Sequence, residues 1–120
     1  MAYLNSAIAS PRRMYIGQPG TGGSTLYTAP AYDSNVTTPS ATAVVKEIIL
    51  CNTTGLAATI TLGINGVAAA NQFIGTLTIA ANDFKVISSL DTMLSAADTI
   101  QGLQGTANAI TVTISGVEVQ

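Results

Sequence analysis

The side chains that most often carry catalysis are scarce in this sequence, and histidine is absent altogether. Without histidine the chain has no Ser-His or Cys-His nucleophile pair and no imidazole ligand for a metal ion. The one cysteine, Cys51, lies between Leu50 and Asn52 in an apolar run, so we expect a small buried side chain without reactive chemistry. A single cysteine also excludes an internal disulfide framework.

The carboxylates show no spacing typical of a catalytic pair or a calcium loop. Asp83 and Asp98 come shortly after Ala-Ala pairs and just before predicted strands, where aspartate usually accepts backbone N–H bonds in a turn. The sequence therefore predicts no catalytic, cofactor-binding or metal-binding residue, and a protein that is not an enzyme.

One glycine-rich segment, GQPGTGGS at residues 17–24, has the glycine spacing and terminal serine of a phosphate-binding P-loop. Gly23 stands where the phosphate-binding lysine is required, and a helix should follow the loop. The following residues, TLYTAP, instead favour a strand. We interpret the segment as a flexible loop without nucleotide binding.

Charged residues make up only 8% of the chain, against about 25% in an ordinary soluble domain. The hydrophobic fraction of 48% is normal, so threonine, serine, asparagine and glycine take the places of charged surface residues. Such a surface suits contact with other protein, because a hydroxyl or amide costs less to desolvate than an ion does. With a net charge of −2 and only four basic residues, no basic patch for nucleic acid is visible.

The N-terminal sequence MAYLNSAIASPRRM places its arginines after a short apolar run, which is the wrong order for a secretory signal. No stretch is apolar for long enough to cross a membrane. We therefore expect a protein made in the cytoplasm, with no membrane partner.

The first forty residues hold all four prolines, which predicts an extended N-terminal arm and loops. We assign residues 1–13 to the arm and 14–120 to one domain, with short strands at 14–16 and 24–29 and a surface loop at 32–42. Alone, so short an arm cannot offset the entropy lost on ordering. On a neighbouring subunit or shell it would bury apolar side chains, while its arginines pair with carboxylates. The predicted contact residues are Tyr3, Leu4, Ile8, Arg12 and Arg13.

From residue 43 onward, apolar and polar residues alternate with a period of two, which is typical of half-buried strands. We expect a hairpin over residues 44–65, a second over 73–90 whose core includes Phe84 and Val86, and a short strand at 98–105. Residues 90–98 predict at most a helical turn. The last strand has Ile110, Val112 and Ile114 inward, with Gly116 at a bulge. Together these elements predict an all-β fold: one sandwich of jelly-roll or immunoglobulin-like type with about seven or eight antiparallel strands.

Several segments resemble small structural proteins of tailed bacteriophage particles, and the similarity covers roughly residues 14–119. The segments are MYIGQPG, TLYTAP, ATAVVKEIILCNTT, AATITLGING, IAANDFKVI and AADTIQGLQGTANAITVTISGVEV. This chain departs from the family's AGDTI-like turn by having Ala97 before Asp98, and its loop at 31–43 is longer than the family's connection.

The resemblance implies a virion structural protein without enzymatic activity or cofactor, namely a capsid decoration or cement protein. Its partners would be the major capsid protein or other virion subunits, and it would form a small symmetric homo-oligomer such as a trimer. A tail or fibre subunit is the alternative within the same family. A carbohydrate-binding module that stacks sugars on Tyr27 and Tyr32 is a third hypothesis, but the chain has no tryptophan.

Overall fold

The computed structural model describes residues 9–31 and 41–119, and these residues form an all-β fold. The described part contains nine strands and one short 3₁₀ turn, Ala69–Asn71. The strands are β1 (Ala9–Gly17), β2 (Ser24–Thr28), β3 (Ala41–Asn52), β4 (Ala58–Ile64), β5 (Gln72–Ile79), β6 (Phe84–Ile87), β7 (Thr92–Ser95), β8 (Thr99–Gln104) and β9 (Ile110–Val119). No helix in these ranges has the length and apolar character needed to cross a membrane.

The strands form two antiparallel sheets. The five-stranded sheet has the order β1-β9-β3-β6, with β7 also paired to β3, and the four-stranded sheet has the order β2-β8-β4-β5. Four of the strand pairs are nested along the chain: β4 with β5, β3 with β6, β2 with β8 and β1 with β9. Rolling such a nested hairpin into two layers gives a jelly roll. The prediction of an all-β sandwich is thus confirmed, and the strand order selects the jelly-roll type.

The core lies between the two sheets and consists almost entirely of aliphatic side chains. Ile60 and Leu62 of β4 are fully buried, as are Ile110, Val112 and Ile114 of β9. The alternation read from the sequence is therefore confirmed in both strands. Burial of each such side chain contributes about 1.5–3 kcal/mol relative to exposure, which makes this layer the main source of stability.

Both predicted hairpins are wrong. β3 and β4 lie in different sheets, and so do β5 and β6, so each connection crosses from one layer to the other. As a result Phe84 and Val86 of β6 do not face β5 in the core; their side chains are 60% and 47% exposed. Alternation shows which face of a strand is buried, but it carries no information about which strand lies beside it.

The predicted arm boundary at residue 13 is also wrong. Ala9 to Arg13 belong to β1 and pair with β9, with Ala9 opposite Val119. Residues 1–8 lie outside the described residues, as does most of the predicted loop at 32–42. The segment expected to form a helical turn at 90–98 contains β7 instead, paired with β3.

Candidate interaction surface

The two aspartates predicted to stabilise turns do so. The Asp98 carboxylate accepts hydrogen bonds from the backbone N–H of Ser95 at 2.9 Å and from the amide of Asn65 at 2.9 Å. The Asp83 carboxylate accepts one from the backbone N–H of Phe84 at 2.8 Å. Within residues 9–31 and 41–119, no group of three or more potential metal ligands comes together.

The glycine-rich segment is held by a buried glutamine. Gln104 is fully buried, and its amide donates to the carbonyl oxygen of Pro19 while its side-chain oxygen accepts from the N–H of Ile110 at 2.7 Å. The Gln104 N–H also donates to the Gly20 carbonyl at 3.1 Å. The loop thus directs carbonyl groups at Gln104, and the strand β2 follows it instead of a helix, as the sequence indicated. This geometry does not resemble a phosphate cradle, in which N–H groups converge.

The adjacent arginines Arg12 and Arg13 point to opposite faces of the five-stranded sheet, because successive residues of a strand alternate. Arg12 Nε lies 3.2 Å from Glu118 Oε1, and the Tyr27 hydroxyl donates to Glu118 Oε2 at 2.6 Å. Since Tyr27 belongs to the other sheet, this group of three joins the two layers at one end of the sandwich. Burial, followed by the hydrogen bond to Glu118, raises the pKa of Tyr27 well above its ordinary value.

Replacing Tyr27 by phenylalanine should lower the free energy of unfolding at neutral pH by about 1.5–3 kcal/mol, the usual contribution of a hydrogen bond to a charged group. In the natural protein the folded pKa of Tyr27 exceeds the unfolded value of 10.0. Its contribution is therefore complete below about pH 10 and declines as the pH rises toward the folded pKa, because only the unfolded chain ionises there.

Denaturant unfolding of both proteins between neutral pH and pH 11 measures this difference. The gap between natural and Tyr27→Phe proteins should shrink with rising pH, and a constant gap would contradict the assignment. Tyr15→Phe is the matched control, since the pKa of Tyr15 is also raised by burial but no carboxylate accepts from it among the described residues.

The outward surface of the five-stranded sheet is unusually apolar. Five large hydrophobic side chains are exposed in the described part of the chain, and four of them lie on this surface. They are Ile16 at 57%, Phe84 at 60%, Val86 at 47% and Met93 at 69% exposure. We call this surface the apolar face.

The strand register shows how the apolar face is arranged. One row runs across four strands from Ile16 through Thr113 and Ile49 to Val86. Residues directly opposite each other in such rows lie about 5 Å apart and point to the same side of the sheet. The row therefore forms a continuous band of aliphatic and threonine side chains.

The neighbouring row contains Thr111, Cys51 and Phe84. Cys51 is half-buried and points outward, so the expectation of a core cysteine is wrong. On the same face, beyond the level of Ser115, a further row joins Val117, Val44 and Met93.

Arg13 and Glu47 stand on the apolar face, one on either side of β9, and Lys46, next to Glu47 at the bulge of β3, is exposed and paired with Asp91. Arg13 of β1 and Glu47 of β3 are both paired with Ser115, so their Cα atoms lie about 10 Å apart. Each strand has a bulge at this level, between Arg13 and Tyr15 in β1 and between Val45 and Glu47 in β3. Among the described residues neither Arg13 nor Glu47 takes part in an ion pair.

The outward surface of the four-stranded sheet is different. Many of its paired positions carry hydroxyl and amide side chains, such as Thr25 opposite Gln101 and Thr59 opposite Thr78, while Leu103 lies opposite Thr61. Gln101 donates to Thr25 Oγ1 at 2.7 Å, so these groups satisfy one another across the strands. The outward threonines expected from the sequence thus dominate this sheet, whereas the five-stranded sheet presents apolar side chains.

The apolar face was not predictable from a pattern that places Phe84 and Val86 in the core of a hairpin. The available signal was the run VVKEIILC, which is apolar at both alternating sets of positions. Such a run indicates a strand with apolar neighbours on both faces. Comparison with models of known protein families and with curated proteins finds no match for this sequence.

Proposed function

We propose that this protein is a non-enzymatic structural subunit of a bacteriophage particle, most specifically a capsid decoration protein that stabilises the head through protein–protein contacts. The observation that carries the proposal is the apolar face, on which Ile16, Phe84, Val86 and Met93 are exposed and charged side chains are few. Interfaces are depleted of charge at their centre, and a sheet face of this kind is suited to burial against another protein.

The jelly roll gives a second, weaker support. Viral capsid proteins use this architecture, but so do lectins and cupins, so the fold alone does not select a function. The sugar-binding alternative is disfavoured by the position of Tyr27, whose hydroxyl is committed to Glu118 and whose ring packs against the core. Tyr32, the other tyrosine of that hypothesis, lies outside the described residues.

The turn before β8 is compatible with the resemblance to phage proteins. Ala97 has a φ of 64°, in the left-handed region that favours glycine, and it occupies the position of glycine in the AGDTI-like pattern. Ala97 thus adopts a backbone conformation that a glycine takes without steric strain.

A test of the proposed contact between the N-terminal residues and the shell requires a deletion shorter than the predicted arm of residues 1–13. Ala9 to Arg13 form part of β1, and Arg12 is bound to Glu118 of its own chain. Removing residues 1–13 would take away part of the sheet, whereas removing residues 1–8 tests only Tyr3, Leu4 and Ile8.

Electron microscopy of purified particles that carry this protein is the test of the proposed function. Hundreds of copies over the head, contacting the major capsid protein, are expected of a decoration protein. A few rings of copies on the tail would instead support the tail or fibre alternative, and absence from particles would overturn the virion role. Chains lacking residues 1–8 should fold and attach less tightly to such particles.

A further inference from the structure

We propose that the apolar face is a self-association surface on which a second copy of this chain binds face to face, related by a two-fold axis that runs along β9. Arg13 of each copy then lies against Glu47 of the other. This inference concerns the isolated chain and does not depend on the virion role.

The arrangement of charge selects this axis. Arg13 and Glu47 flank β9 at equal distance, each one strand away from Ser115. A half-turn about a line along β9 exchanges the positions of β1 and β3 between the two copies. Each arginine is thereby placed over a glutamate, and the contact contains two equivalent ion pairs, as an isologous interface requires.

Other two-fold axes would place like charges against each other or bury an unpaired charge. An axis along β3 would place the two copies of Glu47 against each other. An axis across the strands at the level of Ser115 would place Arg13 against Arg13 and Glu47 against Glu47. An axis across the strands but shifted along them toward Thr113 would place Arg13 over Ile16. Like charges facing each other, or a charge buried against an aliphatic side chain, would strongly weaken the contact.

The same half-turn brings apolar groups together. Ile16 of one copy is placed over Ile49 of the other, beside Val86, because these positions belong to one row of the sheet. Pro11 is placed over Val44, beside Met93. The exposed side chains of β6 and β7 would thus cover the edge of the facing β1.

The size of the contact predicts a weak dimer. Three strands of about nine residues present about 14 Å by 30 Å on each copy, or roughly 800 Å² in total. This is below about 1,200 Å², the size at which specific, stable interfaces begin, and it is in the range of weak, transient contacts. Aligned sheets cross at about 30°, which an axis inclined by about 15° to β9 would produce. We expect dissociation in the micromolar range.

Charge reversal followed by charge exchange tests the proposal on the full chain. Sedimentation equilibrium measures the dissociation constant of the natural protein, of Arg13→Glu, of Glu47→Arg and of the double variant. Each single reversal should weaken the dimer at least about tenfold, because two like-charge contacts replace two ion pairs. The double variant restores opposite charges across the axis, so its dissociation constant should return to within about threefold of the natural value.

Lys85→Glu is the matched control, since Lys85 is exposed on β6 but is paired with Leu50 and so points to the other side of the sheet. It should leave the dimer unchanged. Thermal melting of each variant shows that the fold is intact. The proposal is overturned if the natural protein stays monomeric at high micromolar concentration, or if it forms a trimer that none of the Arg13 and Glu47 variants affects. It is also overturned if the single reversals leave the dissociation constant unchanged, or if the double variant does not recover the natural value.

Discussion

Replacing Asn52 by alanine should lower the free energy of unfolding by about 3–5 kcal/mol, a large part of the stability of a domain of this size. Asn52 is 1% exposed at the end of β3. Its amide nitrogen donates to the carbonyl oxygens of Leu56 at 2.7 Å, Ile79 at 3.0 Å and Ala80 at 3.2 Å. Its oxygen accepts from the N–H of Thr54 at 3.0 Å and from the Thr54 hydroxyl at 2.8 Å.

The large effect follows from the groups that the alanine would leave unpaired. Asn52 joins the β3–β4 connection to the end of β5, at the point where the chain crosses between the sheets. A buried backbone group without a partner costs about 1–3 kcal/mol, and the alanine would leave the Ile79 carbonyl and the Thr54 N–H without this partner. The Leu56 and Ala80 carbonyls still accept from the Thr54 hydroxyl and the Asp83 N–H. The same change removes buried side-chain volume, which adds a cavity cost.

Urea unfolding is the measurement, and the midpoint should fall while the slope stays constant. Asn71→Ala is the matched control, because the Asn71 amide makes a single hydrogen bond, to the Ile64 carbonyl at 2.8 Å, from a half-buried position. The control should lose about 1 kcal/mol. Equal losses for the two variants would contradict the role assigned to Asn52.

Replacing Gly116 by alanine should destabilise the protein by about 3 kcal/mol, and this change adds only one methyl group. Gly116 lies on the inward side of β9, opposite Val45 of β3. A Cβ atom there would lie 2.7 Å from Met14 Cε and closer still to the carbonyl oxygen of Val44. The Met14 side chain is able to move, but the Val44 carbonyl belongs to the backbone of the central strand.

The clash would therefore force β3 and β9 apart at the level of the two bulges. The bulges themselves lie in β1 and β3, beside Ser115 and Gly116, so the prediction of a bulge at Gly116 identified the level but not the strand. Gly55→Ala is the control, since no atom lies within 4 Å of a Cβ built at that position. Thermal and urea unfolding compare the two variants; a Gly116→Ala protein as stable as the Gly55→Ala protein would refute the close approach.

Local pattern was sufficient to determine the fold class and the inward faces of β4 and β9. Alternation along a strand records which side meets the core, and this information is carried by each segment alone. The turn roles of Asp83 and Asp98 were likewise predictable, because an aspartate bonds to backbone groups a few residues away. The shortage of charge indicated a surface suited to protein contact.

The pairing of strands, by contrast, depended on contacts between residues far apart in the chain. Residues 44–65 and 73–90 each look like a hairpin, since short loops between strands favour pairing of neighbours. In the folded protein both connections cross between layers, which puts Phe84 and Val86 on the outside of the sheet. Burial of the whole aliphatic core outweighs the local preference for adjacent pairing, because it involves many more side chains.

The same long-range pairing determined the positions of the two arginines and of residues 9–13 of the predicted arm. Nothing in the sequence distinguishes Arg12 from Arg13, yet β1 pairs with β9 a hundred residues later and directs one to Glu118 and the other to the apolar face. Composition predicted a surface suited to contact with other protein. Only the assembled sheet, in which strands distant in sequence become neighbours, placed Ile16, Ile49 and Val86 in one row with Arg13 and Glu47 beside it.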